Sequence, residues 1–384
     1  MKSVFKILVI CIAVISVTVC NANNKTPNLA ITTLVNTNSE PNKQFIKVAL
    51  LLDTSNSMDG LIDQAKAQLW EIVNELSYAK CDNNKPNLQI ALYEYGNDRL
   101  NNKEGYIRQV LAFSNDLDEI SKELFSLTTN GGNEYCGQVI QTSLNQLNWG
   151  SNPDDLKLIF IAGNEPFTQG KVNYKDAATN AKEKDVTVNT IFCGDYHQGI
   201  STFWKKGADL TQGNYMAINH NKATVHVASP YDDQILQLNV KLNKTYVAYG
   251  QRGKEKRMMQ AEQDMNASGY SKANAVSRTV SKSSHLYKNA TWDLVDAIEE
   301  EKINVEDLEN EALPEALKNK SPREIKAYVA NMQQERKTIQ KQILELNEKR
   351  KTYISEKAKD TENGLENAMT TAIKTQAKKK KYTW

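Results

Sequence analysis

The sequence contains few of the residues from which common catalytic sites are built. It has four histidines in 384 residues, and none of them stands in a pattern with a plausible nucleophile. It also lacks a Gly-rich phosphate loop, a Gly-x-Ser-x-Gly elbow and a His-Glu-x-x-His helix. Asp195 and His197 follow a predicted strand, so a hydrolytic pair at that loop remains a minor alternative. Because no catalytic site is assembled in the sequence, we expect that the protein is not an enzyme.

An excess of charge of either sign is also missing. The chain has 48 basic and 46 acidic residues, with a formal net charge of +2. This balance gives no case for nucleic acid as a partner or for a general attraction to membrane surfaces. The charged fraction of 24% favours a soluble chain that is rich in exposed helix.

The amino terminus has the pattern of a secretory leader. Lys2 and Lys6 precede an apolar core at residues 7–19, which is too short for a comfortable membrane span. We predict a signal peptide over residues 1–22 and an Asn/Thr/Pro-rich linker over residues 23–43. The alternatives are a lipid anchor at Cys20 or an uncleaved leader, and either would associate the protein with the membrane. All three predict export, to the periplasm or cell envelope.

Cysteine is scarce beyond this leader. Cys81, Cys136 and Cys193 remain, and their spacing fits no zinc motif. An oxidising compartment permits one disulfide among them and leaves one thiol over.

The most informative segment is an apolar run over residues 45–52 that breaks into a polar turn. The run is typical of a strand buried on both faces, and a helical pattern follows from Asp59. Asp53, Ser55 and Ser57 are thereby placed on a tight turn at the carboxyl end of a central strand, where open α/β sheets bind ligands. Three hard oxygen donors on one loop suit Mg²⁺ or Mn²⁺. The alternative is a polar turn that only caps the next helix.

This segment resembles the first motif of the metal-ion-dependent adhesion site in von Willebrand factor type A (vWA) domains, with Asp53, Ser55 and Ser57 at its three positions. Where the family has Gly-Gly-Thr, this chain has Gly131, Gly132 and Asn133. The resemblance implies that Asn133 is a tentative metal ligand, because an amide oxygen can still coordinate a hard cation. The alternative is a Gly-rich turn with Asn133 as a helix N-cap.

The third motif departs further from the family. The family ends its fourth strand in Thr-Asp-Gly, whereas this chain has Ala162, Gly163 and Asn164. Because fewer carboxylates weaken cation binding, we expect a degenerate site whose occupancy by Mg²⁺ or Mn²⁺ is open.

The order of strand and helix patterns predicts an α/β fold with a doubly wound, mostly parallel six-stranded sheet. The vWA resemblance covers residues 44–228. Cys136 and Cys193 both follow elements that reach the carboxyl edge of this sheet, so we predict a disulfide between them. The alternative is two independent buried thiols.

Residues 229–384 are predicted to form an all-α extension. Nine positions in the segment 323–357 recur at spacings of four and three, the pattern of a coiled-coil seam, and two of the nine are arginines. We expect this helix to pack within the chain and not to form a dimer, because arginine at the seam weakens a free coiled coil. The basic end, residues 378–381, is predicted to be a solvated tail, with contact to an anionic surface as the alternative.

The resemblance implies binding of an unidentified protein partner through the degenerate adhesion site. The competing hypothesis is a metal-free scaffold that binds through its helical extension.

Overall fold

A six-stranded, mostly parallel sheet forms the centre of the computed structural model, which describes residues 44–82, 84–222, 227–357 and 365–384. The spatial strand order is β4-β3-β1-β5-β6-β7, and β4 alone in this sheet runs antiparallel to its neighbour. The predicted fold class is therefore confirmed. The strands are β1 (Phe45–Asp53), β2 (Lys80–Cys81), β3 (Asn87–Tyr95), β4 (Ile107–Ser114), β5 (Leu156–Gly163), β6 (Thr187–Cys193), β7 (Tyr215–Ile218) and β8 (Tyr382–Thr383).

Helices cover both faces of this sheet, and they continue through the second half of the chain. The helices are α1 (Asp59–Leu76), α2 (Leu117–Phe125), α3 (Cys136–Gln146), α4 (Tyr174–Glu183), α5 (Tyr196–Ser201), α6 (Trp204–Asp209), α7 (Asp232–Lys244), α8 (Gly250–Tyr270), α9 (Lys272–Lys282), α10 (Leu294–Glu299), α11 (Pro322–Lys357) and α12 (Leu365–Lys378).

Strand β1 lies between β3 and β5, with parallel partners on both sides. Ile46 and Val48 point into a core shared with α1, whereas Ala49 and Leu51 point into a core shared with α3 and α4. A strand buried on both faces needs a continuous apolar sequence, which explains the run that precedes Asp53.

Helix α12 fills a place on the sheet that no helix from the first half of the chain occupies in the described structure. It packs beside α1 and contacts β5 and β7. Its apolar side chains, among them Met369 and Ile373, join the same core as Leu50 and Phe160. The carboxyl-terminal helix thereby completes one of the two helical layers of the sheet.

The chain beyond α12 is anchored, so the basic end is not a free tail, although Lys378, Lys379 and Lys381 are exposed to solvent as predicted. β8 pairs with β2, and Tyr382 is buried with its hydroxyl donating to the carbonyls of Phe45 and Asp154, at 3.3 and 3.1 Å. The extension thus ends in a short strand.

The predicted seam of the long helix is the face that α11 buries within the chain. Ile325, Val329, Ile339 and Ile343 are buried, and α11 packs on α7, α9 and α10. The arginines of the seam have partners inside the fold. Arg350 Nε lies 3.0 Å from Asp232 Oδ1 in α7.

Arg336 is the more enclosed of these two arginines. Its Nη1 lies 2.7 Å from Asp293 Oδ2 and 2.6 Å from Asp296 Oδ1, and its guanidinium stacks 4.1 Å from the Tyr246 ring. An arginine at this position would weaken a free coiled coil, but here it fixes how α11 packs against other parts of the same chain.

A second set of buried ion pairs joins the extension to the first half of the chain. Arg278 of α9 lies 2.8 Å from Asp118 of α2 and 2.6 Å from Asp264 of α8. Its guanidinium is 4.8 Å from the Trp70 ring of α1. One side chain thus holds four helices together.

No helix in the described ranges is long and apolar enough to cross a membrane. The predicted signal peptide, with its Cys20 alternative, and the linker over residues 23–43 lie outside the described residues.

Replacing Arg336 by methionine should destabilise the protein strongly. The variant leaves Asp293 and Asp296 buried without their cation, which typically costs about 3–5 kcal/mol. Urea denaturation followed by circular dichroism measures the loss. The matched control is Lys337→Met, whose lysine is exposed on the same helix, and it should cost less than about 1 kcal/mol. Equal losses in the two variants would contradict the buried-pair account.

We expect the ionisation of Glu71 to lower the free energy of unfolding as pH rises. Burial, with Glu366 as a like-charged neighbour, raises the pKa of Glu71 from 4.5 to about 7, against the opposing effect of Arg350. Because the folded state holds this proton more tightly than the unfolded chain, its stabilising effect is present at low pH and is lost as pH rises through about 7.

We therefore expect Glu71→Gln to flatten the decline in melting temperature between mildly acidic and mildly alkaline buffer. Glu335→Gln, at an exposed position on α11, is the control and should follow the wild-type slope. A Glu71→Gln profile parallel to wild type would rule out this assignment.

Candidate functional site

The turn after β1 brings together the three residues of the Asp-x-Ser-x-Ser motif. Asp53 is fully buried at the end of β1, and its Oδ1 accepts a hydrogen bond of 2.7 Å from the backbone N–H of Ser55. The hydroxyl oxygens of Ser55 and Ser57 lie 3.2 Å apart. The local bond from Asp53 folds the turn back on itself, so that one carboxylate and two hydroxyls are clustered at the carboxyl edge of the sheet.

Glycines end the two strands that flank β1, because the Asp53 carboxylate occupies the space a side chain would need. A Cβ at Gly163 would lie 2.9 Å from Asp53 Oδ2. A Cβ at Gly96 would lie 2.8 Å from Asp53 Oδ1 and 2.6 Å from the Glu134 side chain, and Gly96 also has a positive φ of 79°. The edge is thus a cradle around two carboxyl groups.

Glu134 is the site residue that the sequence analysis missed. It is 5% exposed, and its carboxyl group lies in hydrogen-bonding contact with that of Asp53 when one of the two carries a proton. The tentative ligand Asn133 is exposed. Asn133 is also not a helix N-cap, because α3 begins at Cys136 with Tyr135 at its N-cap. The only sequence signal for Glu134 was an acidic residue directly after Asn133, the residue that stands at the threonine position of the family motif.

The two carboxyl groups have strongly perturbed acidities. Burial raises the pKa of both Asp53 and Glu134, and the nearby Glu165 raises both further. Asp53 also raises the pKa of Glu134, whereas the hydrogen bond from Glu134 lowers that of Asp53. As carboxylates, Asp53 Oδ2 and Glu134 Oε2 are buried with no hydrogen-bond partner in the described chain. Two such groups need either a shared proton or a cation.

The third motif contributes an amide where the family has an acid. Asn164 Nδ2 donates to Ser57 Oγ at 3.2 Å, and its Oδ1 is buried without a partner in the described residues. Two carboxylates, two hydroxyls and an amide oxygen are the donor types that Mg²⁺ and Mn²⁺ accept. Within the described ranges, no group of three or more His, Cys, Asp or Glu side chains is placed to hold a metal ion.

The predicted disulfide is not formed. Cys81, Cys136 and Cys193 are free and buried. Cys193 packs in the core beneath α1 and α12, whereas Cys136 packs in the core beneath α3 and α4. The two thiols therefore lie on opposite faces of the sheet. Cys136 begins helix α3 on one face, and alternation along β6 turns Cys193 to the other face.

Asp195 and His197 lie at the same edge of the sheet but form no side-chain pair. Asp195 is the N-cap of α5, and its Oδ1 accepts the backbone N–H groups of His197 and Gln198, both at 2.9 Å. The carboxylate is therefore engaged in capping the amino-terminal end of α5.

Some solved structures resemble part of this chain. BatB from Bacteroides thetaiotaomicron is 16% identical with a TM-score of 0.35, over 45% of this chain and 90% of that one. An aerotolerance-related membrane protein from Bacteroides fragilis is 15% identical with a TM-score of 0.32, over 46% and 93%. The SpRpn10 VWA domain is 16% identical with a TM-score of 0.34, over 45% and 87%. No curated protein matches the chain significantly.

A family model gives the identification. The model of the von Willebrand factor type A domain matches residues 47–231. Apart from the first two residues of β1, that range contains the six strands of the main sheet, together with the Asp53 turn and the Glu134 loop. The chain therefore contains a vWA domain, and the candidate site lies at the carboxyl edge of the sheet of that domain.

Proposed function

We propose that this protein is exported and that its vWA domain binds a protein partner through the carboxyl edge around Asp53. vWA domains generally mediate protein–protein interactions, so the family supports a protein-interaction role. The observation that carries the choice of this edge is the pair of facing, buried carboxyl groups of Asp53 and Glu134, each with an oxygen left without a partner. Such pairs occur where a fold is arranged to hold charge for a ligand.

In this proposal the site holds Mg²⁺ or Mn²⁺. Asp53, Ser55 and Ser57 would hold the ion as in the family, and Glu134 replaces Asn133 as the second-motif donor. A bound divalent cation supplies an open coordination position for a carboxylate of the partner. Asp53 Oδ1 is already fixed by the Ser55 N–H, so the cradle is ordered before binding, which reduces the entropy cost of ligand capture.

The competing proposal is a metal-free scaffold. Asn164 stands where the family has its third acid, which lowers the charge available to a cation. In that case the Asp53–Glu134 pair keeps a shared proton, and partners bind through the extension. A hydrolytic role for Asp195 and His197 is the minor alternative, and the capping role of Asp195 speaks against it. We propose that the protein is not an enzyme.

Calorimetric titration with Mg²⁺ and with Mn²⁺ tests the site. We expect saturable binding to the wild type at neutral pH. Loss of binding is expected in Asp53→Asn and in Glu134→Gln, because each removes a negative oxygen donor while preserving side-chain shape.

The matched control is Asp195→Asn, which removes an exposed carboxylate at the same edge, and asparagine still caps a helix. It should bind as the wild type does. Negligible heat in the wild type, or equal heat in all four proteins, would favour the metal-free scaffold.

A further inference from the structure

A basic groove lies at the amino edge of the sheet, opposite the edge that carries Asp53. It has a volume of about 370 Å³ and lies where β5 and β6 begin, with the end of α12 forming one wall. Its polar lining comes from both halves of the chain and includes Lys157, Lys182, Thr187, Gln376, Lys379 and Lys380. The vWA segment thus supplies the floor and the carboxyl terminus supplies a wall.

The charges in this groove are not balanced within the described chain. Four lysines line it against one acid, Asp185, which gives a net charge of +3. Lys380 is paired with Asp185 at 2.6 Å. Lys157, Lys182 and Lys379 have no carboxylate within 4.0 Å in the described residues. Three cations that share one concave surface raise the local positive potential.

Lys157 is an unusual member of this set because it is buried. It is 3% exposed, and its ammonium group donates to the carbonyl of Gly150 at 3.0 Å. Burial lowers the pKa of Lys157. Behind it, the Asp155 carboxylate acts on Lys47, Lys157 and Lys380 together. Counting Lys47 and Asp155 with the lining residues therefore leaves the excess positive charge of the groove unchanged. Asp185 and Asp155 act on this ammonium only from beyond 4.0 Å, so a further anion in the groove would lower the cost of burying it.

The wall from the carboxyl terminus is held in place by many contacts. Gln376 Nε2 donates to the Gln212 carbonyl at 3.0 Å and to Asn214 Oδ1 at 2.7 Å. Lys380 Nζ donates to the carbonyls of Pro153 and Asp155, at 2.8 and 2.9 Å. The lysines of this wall are therefore presented by an ordered backbone, which favours binding because less freedom is lost.

We propose that this groove binds a small molecule that carries a phosphate group. Phosphate offers several charged acceptor oxygens to ammonium donors. The hydroxyl of Thr187, which makes no side-chain hydrogen bond in the described residues, lies in the lining as a further donor. A concave site with a buried lysine on its floor suits a compact anion better than a flat anionic surface. The site is independent of the proposed Asp53 function, because it lies at the opposite edge of the sheet.

Calorimetry with pyrophosphate on the full chain at low ionic strength tests the proposal. We expect saturable binding to the wild type and a loss of at least about tenfold in affinity for Lys182→Ala/Lys379→Ala, because two charge-assisted contacts are removed. Both lysines are exposed, so the variant should fold, and its melting temperature checks this.

The matched control is Lys175→Ala/Lys378→Ala, which removes the same charge from exposed positions on α4 and at the end of α12, outside the groove lining. It should retain wild-type affinity. Equal loss in both double variants would show a general charge effect and overturn the proposal, as would no saturable binding at millimolar pyrophosphate. Binding to phosphatidic-acid vesicles without binding of pyrophosphate would assign the lysines to a membrane surface and also overturn it.

Discussion

A parallel sheet that is buried on both faces must have an apolar layer on each, and this requirement organises the whole chain. On one face the layer is made by α3, α4 and α6, all from within the matched family segment. On the other face α1 and α2 cover the centre and the β4 side, and α12 covers β5 and β7. Because no backbone group or apolar side chain of these strands can be left exposed without cost, the domain depends on a helix that begins more than a hundred residues beyond β7.

The extension is attached to the domain by polar contacts as well as by apolar ones. Arg278 connects α9 to α2 and α8, and Arg336 connects α11 to α10 and to Thr245. Buried charge pairs contribute little net stability, but each is costly to separate. They therefore fix how the helices fit together. The extension and the domain share one apolar core, so the second half of the chain is structural support for the first.

The sequence alone predicted the elements whose signal is local. The apolar run that precedes the Asp-x-Ser-x-Ser turn predicted β1, and the repeating apolar positions of the seam predicted α11. Each pattern lies within a single segment, and both elements were confirmed. Contacts between distant segments could not be predicted. Glu134 meets Asp53 only because a loop returns to the edge of the sheet. Cys136 and Cys193 both lie near the carboxyl edge, yet Cys136 belongs to a helix on one face and alternation along β6 turns Cys193 to the other face. The basic end had the composition of a solvated tail, and only the burial of Tyr382 shows that it is anchored.

The hydroxyl of Tyr382 donates to the carbonyl of Phe45, so the last strand of the fold touches the first residue of β1. The two ends of the described fold therefore meet, separated by 337 positions along the chain. During synthesis the sheet can form early, but the β5–β7 side of one face stays exposed to solvent until α12 has been made. Closure of so long a loop is slow. The newly made domain thus passes through a stage in which part of its apolar sheet is exposed, and exposed apolar surface favours aggregation.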